Sequence, residues 1–129
     1  MKQLLLVGVG GAIGSVARYL AGIAVIRWAG PGFPFNTLLV NIVGSFVMGL
    51  VIGALVKFDP PEAIATDVRL FVAVGVLGGF TTFSSFSADV AALWEREAHG
   101  AMALYVLASV ALSIAAVFLG LYLVRRLAG

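Results

Sequence analysis

The run GGFTTFSSFSAD, residues 78–89, places two glycines, five hydroxyl side chains and a carboxylate inside a stretch otherwise apolar enough to lie in lipid. Phe80, Phe83 and Phe86 recur every three residues, with Thr81, Thr82, Ser84, Ser85 and Ser87 in the turns between them. Adjacent glycines followed by β-branched threonines make a weak helix. Non-helical backbone at membrane depth persists only where it is buried in protein or lines a cavity. The run therefore predicts a break in a membrane helix. Freed carbonyls at such a break suit a cation, and N–H groups at the restarted helix suit an anion. A hydroxyl-lined packing interface with ordinary core aromatics is the competing explanation. Asp89 falls far enough along to lie near the membrane surface.

Composition sets the class. The chain has 129 residues, 62% hydrophobic and 11% charged, with mean hydropathy +1.13, where soluble domains carry about 25% charged residues. It reads as an all-α integral membrane protein. Four apolar stretches, at about 4–26, 36–57, 69–93 and 101–124, are each long enough to span as helices. They form a single membrane domain over 1–129, with both termini on one side. RWAGPGFP at 27–34, KFDPPEAIATD at 57–67 and EREAHG at 95–100 separate them. The first stretch lacks a small-residue cleavage site and reads as a mature helix, not a signal peptide. The eight basic residues are scattered and offer no nucleic-acid surface. With no cysteine there is neither a disulfide framework nor thiolate chemistry. The lone His99 has no metal-ligand companions and reads as a solvated loop residue.

The glycines near the N-terminus imitate a dinucleotide-binding fingerprint, but no βαβ unit with an acidic partner follows. Gly10, Gly14, Arg18 and Gly22 recur every four residues, which lays them along one helix face suited to close packing. Arg18 lies roughly 21 Å along the first span at 1.5 Å per residue, with no carboxylate in that span to pair it. An ionised group at that depth must face protein or water, so Arg18 belongs to an aqueous vestibule, a helix-terminus contact or a structural anchor. Asn36 reads as an N-terminal cap of the second span. Asn41 lies deeper, with Ser45 one turn on, and needs either an interhelical partner or a permeating species. Gly49 and Gly53 make a G-x-x-x-G packing pair. In the fourth span Tyr105, Ser109 and Ser113, at i, i+4 and i+8, align three hydroxyls on one side.

With these pieces assembled, the sequence resembles the CrcB/Fluc family of small dual-topology fluoride channels over essentially its whole length. GGAIGSVARY, NTLLVNIVGSF, GGFTTFSSFS and the Tyr-x3-Ser-x3-Ser line carry the resemblance. It implies an antiparallel homodimer in the cell inner membrane with two fluoride pathways, the broken third helices crossing around a structural sodium ion. By the same resemblance, the Gly78 and Thr81 carbonyls would hold the sodium, and Phe83 and Phe86 would be pathway phenylalanines. Asn41 would be an amide donor beside them, with Thr82 and Ser84 adding hydroxyls. Tyr105, Ser109 and Ser113 would form a polar track, and Arg18 would stand near the vestibule. Phe80, where an aliphatic residue is expected, reads as packing.

The chemistry agrees with that assignment. Fluoride is strongly hydrated and accepts hydrogen bonds, so amide and hydroxyl donors must match its dehydration. Phenyl edges carry partial positive charge and can stabilise an anion without trapping it. A small four-helix exporter of cationic drugs would need a membrane carboxylate where the first span supplies Arg18. A non-transporting scaffold would leave the hydroxyl track without use. No nucleophile–base pair, metal cluster or phosphate loop points to an enzyme. With the N-terminus inside, Lys2, Lys57, Arg69, Arg125 and Arg126 face Arg27 and Arg96 across the membrane, a moderate positive-inside bias that dual topology does not require.

Overall fold

A computed structural model describes residues 1–127. Its elements are α1 (Lys2–Ala29), α2 (Phe35–Phe58), α3 (Glu62–Val68), a π-helical stretch (Arg69–Leu77), α4 (Gly78–Phe80), α5 (Phe83–Glu95) and α6 (His99–Leu127). Four membrane-length spans result, the third running Glu62–Glu95 through α3, the π stretch, α4 and α5. The described residues contain no strand.

The spans outrun the apolar windows at both ends. The third begins at Glu62, not at residue 69, because Pro61 supplies a carbonyl that accepts from Ile64 and Ala65 while Glu62 sits favourably in the first turn. His99 is correspondingly the first residue of α6 and not a loop residue. Asn36 caps nothing: α2 starts one residue earlier, with Pro34 before it and no side-chain cap bond. Polar residues at the span ends are tolerated in helix because they project beyond the hydrocarbon.

Glycine determines how the spans meet. A Cβ at Gly10 would press on the Phe71 carbonyl, and one at Gly14 would overlap the Val76 carbonyl and the Phe80 amide. On the other side of the molecule, a Cβ at Gly49 would overlap the Val117 carbonyl and one at Gly120 the Phe46 carbonyl. So α1 packs backbone to backbone on the third span, and α2 on α6, the close approach that small residues permit in lipid. Gly53 meets only the Val124 side chain, and Gly22 stands in open space apart from the Asn36 amide. Leu4, Ile13, Leu20, Leu107 and Phe118 stay exposed, as lipid-facing residues do. Trp28 and Trp94, also exposed, mark the end of the molecule where α1 and α5 finish.

The break in the third span falls on Thr81 and Thr82, both extended (φ −81°, ψ 159° and φ −155°, ψ 119°). The glycines before it remain helical. Gly79 serves close approach instead: a Cβ there would come within 2.5 Å of the Gly11 carbonyl on α1. The threonines leave the helix because their branched side chains favour extended backbone and because Thr82 can cap α5.

Candidate ion pathway

The break is held open by named hydrogen bonds. Asn41 Nδ2 on α2 donates to the Thr82 carbonyl at 3.1 Å, and the Thr82 amide donates to Asn41 Oδ1 at 2.8 Å. Thr82 Oγ1 accepts from the Ser85 amide at 3.1 Å and so caps α5. In an unbroken helix the Thr82 and Ser85 amides would close on the carbonyls of Gly78 and Thr81. Both donors are diverted, and those two carbonyls lose their helical partners. Thr81 itself turns its hydroxyl back onto the Leu77 carbonyl at 2.8 Å.

Two cavities flank this junction and share Thr82. The first, about 340 Å³, is a groove lined by Asn41, Thr82, Phe83, Phe86, Ser109 and Ser113 among others. Ser109 Oγ and Ser113 Oγ are buried with no hydrogen-bond partner among the described residues. A buried hydroxyl without a partner costs roughly 1–3 kcal/mol, so the groove holds two polar groups that the protein itself does not satisfy. Phe83 and Phe86 stand beside them with ring centroids 5.4 Å apart. Phe83 is 77% exposed on the single chain. The second cavity, about 550 Å³, is lined by Ser15, Arg18, Asn36, Ser85 and Asp89 as well as Thr82. Arg18 makes no ion pair among the described residues.

The remaining expected site residues are placed differently. Tyr105 does not border the groove that Ser109 and Ser113 line. It is the largest fully buried side chain, packed with Leu38 and Leu93, and its hydroxyl donates to Asp89 Oδ2 at 2.9 Å. Ser84 is exposed, with its Oγ 3.2 Å from Thr82 Oγ1. Phe80 packs towards Gly44. Asp89 went unrecognised in sequence as a site residue, because its partner Tyr105 is 16 positions away across a turn. Only the regular spacing of α5 and α6 around that turn hints at the pairing.

Four lipid-length spans, a third span opened at Thr81–Thr82, and a groove of phenylalanine rings and unpartnered hydroxyls beside the opening define a polytopic membrane protein. The model of one family, described as CrcB-like protein, Camphor Resistance (CrcB), matches residues 5–121, and the chain belongs to that family. It is similar to the fluoride-specific ion channel FluC of Agrobacterium fabrum, 54% identical over 127 residues that cover 98% of this chain and 99% of the relative. The FluC proteins of Phenylobacterium zucineum and Caulobacter vibrioides are 52% and 48% identical, each over 126 residues and 98% of both chains.

Proposed function

We propose that this protein is a fluoride-selective channel of the cell membrane through which fluoride leaves the cytoplasm down its electrochemical gradient, and that it is not an enzyme. The observation that carries this reading is the pair of buried, unpartnered hydroxyls of Ser109 and Ser113, facing a groove walled by Phe83 and Phe86. Hydroxyl hydrogens there can replace part of the water that a small anion sheds, and the phenyl edges add weak attraction. Asn41 spends one amide hydrogen on Thr82 and retains a second for the ion. Thr82, common to both cavities, links the Arg18 vestibule, which Ser85 also lines, to the groove, and the exposed Ser84 adds a hydroxyl beside it. Arg18 draws anions into that vestibule, and Asp89, which also lines it, is tied from the core side by the Tyr105 hydroxyl. Repeated weak sites allow rapid exit.

The working unit is an antiparallel homodimer in the bilayer. The exposure of Phe83 beside an open groove supports a second chain as the missing wall. The Gly78 and Thr81 carbonyls, whose helical donors are diverted, suit a hard monovalent cation such as sodium. Such an ion supplies positive potential to a nearby anion and crosslinks two chains. The moderate excess of basic residues at one end leaves the dual topology to be tested by labelling an engineered terminal cysteine from each membrane side. Labelling from only one side would overturn it.

The central experiment is anion efflux from liposomes holding the purified protein. Fluoride is expected to leave rapidly while chloride is retained. Equal rates for the two anions, or no flux of either, would defeat the proposal.

A further inference from the structure

Five aromatic rings run in contact from the loop between α1 and α2 to the groove. Phe35 and Phe33 have centroids 4.6 Å apart, and Phe33 meets Tyr105 edge to face at 5.6 Å and 89°. Tyr105 lies 5.3 Å from Phe86, and Phe86 lies 5.4 Å from Phe83. Tyr105 passes contact along this line, because its ring is enclosed between its neighbours at 0% exposure and only its hydroxyl end is tied, to Asp89. Phe33 is itself held from outside: Arg96 Nη1, at the C-terminal end of α5, donates to the Gly32 carbonyl at 3.3 Å and clasps the loop onto the molecule.

We infer that Phe33 is a positioning residue for the ion pathway, which sets the ring angle of Phe86 through Tyr105 and is held in place by the Arg96 clasp on Gly32. The inference rests on the reading of the groove as the fluoride route. A phenyl ring attracts an anion at its edge and repels it at its face, so the angle of Phe86 matters to conduction as much as its presence does. Leucine at position 33 would keep most of the apolar contact but remove the edge that braces Tyr105. Phe86 then gains a second ring orientation. Tyrosine at position 33 would preserve the brace.

The test uses the full chain with 3-fluorophenylalanine at position 86, whose fluorine sits on one edge of the ring, so that its 19F resonance reports where that edge points. The parent protein is expected to show one dominant resonance, Phe33→Leu two or an exchange-broadened one, and Phe33→Tyr the parental spectrum. Unlabelled Phe33→Leu in liposomes is expected to lose about tenfold in fluoride efflux, with Phe33→Tyr within about twofold of the parent. Should Phe33→Leu fail to fold, Arg96→Gln releases the loop from outside the core and is expected to broaden the same resonance. A parental spectrum in Phe33→Leu, or in Arg96→Gln where that variant stands in, overturns the inference. If the parent protein fails to conduct fluoride, the channel reading falls, while the spectra still report whether position 33 sets the ring.

Discussion

Asn41 and Thr82 exchange two hydrogen bonds across 41 positions of sequence, amide to carbonyl at 3.1 Å and backbone N–H to side-chain oxygen at 2.8 Å. The asparagine side chain thereby stands in for a peptide group. It closes on the extended backbone as a neighbouring strand would, and the opening in the third span is stable because the second span completes it.

Asn41→Asp is expected to be more damaging than Asn41→Ala. The aspartate turns an oxygen towards the Thr82 carbonyl where a donor stood, and its charge repels an anion in the adjoining groove. Fluoride efflux should fall further in the aspartate variant, and its thermal midpoint in detergent should drop by the equivalent of about 1–3 kcal/mol. Greater flux in Asn41→Asp than in Asn41→Ala would assign Asn41 to packing alone.

The unpartnered hydroxyls give the opposite signature. Ser109→Ala with Ser113→Ala removes groups that bond to nothing else among the described residues. The double variant is expected to unfold at or above the parental temperature while fluoride efflux falls at least about tenfold, one lost charge-assisted hydrogen bond being worth roughly 1.5–3 kcal/mol. Loss of stability with unchanged flux would show the serines to be structural.

Phe83 offers its ring outside the core of its own chain. Phe83→Ile is expected to leave the assembly intact by light scattering and to reduce fluoride efflux strongly, because an aliphatic group has no electropositive edge. Parental flux in this variant would remove Phe83 from the pathway.

Glycines of α1 divide by what faces them. Gly14→Ala drives a methyl group into the backbone of the third span and is expected to cost about 1–3 kcal/mol. Gly8→Ala meets nothing within 4 Å and should leave the melting temperature unchanged or raise it slightly, alanine being the better helix former. Comparable midpoints for the two variants would mean that α1 does not seat on Gly14.

The periodicities that ran through single helices were legible in the chain, since they need only local geometry. Gly10 and Gly14, Gly49, and the Ser109–Ser113 line all emerged from four-residue spacing. What crossed between helices was not legible. Asn41 looked equally like a packing amide and an ion ligand, and its bond to Thr82 depends on how α2 lies against the break. Tyr105 shared the serine spacing, yet one turn of helix separates a groove wall from a core position, and the Asp89 carboxylate draws its hydroxyl inward. Gly78 and Gly79 suggested the break by their flexibility, whereas Gly79 answers to the crowding of α1 and the threonines do the breaking. Pro61 and Glu62 lengthened the third span because hydropathy detects lipid, not helix.

The π-helical stretch Arg69–Leu77 has a mutational consequence. Bonds closing on the fifth residue back hold a wider coil than an α-helix, so the third span carries a surplus of chain just before α4. Deleting one residue there lets the coil tighten towards α-helical pitch, whereas the same deletion in α2 turns every later side chain by about 100°. The reading frame of side chains around the break is thus buffered against length change on its N-terminal side and rigid in the helix that braces it.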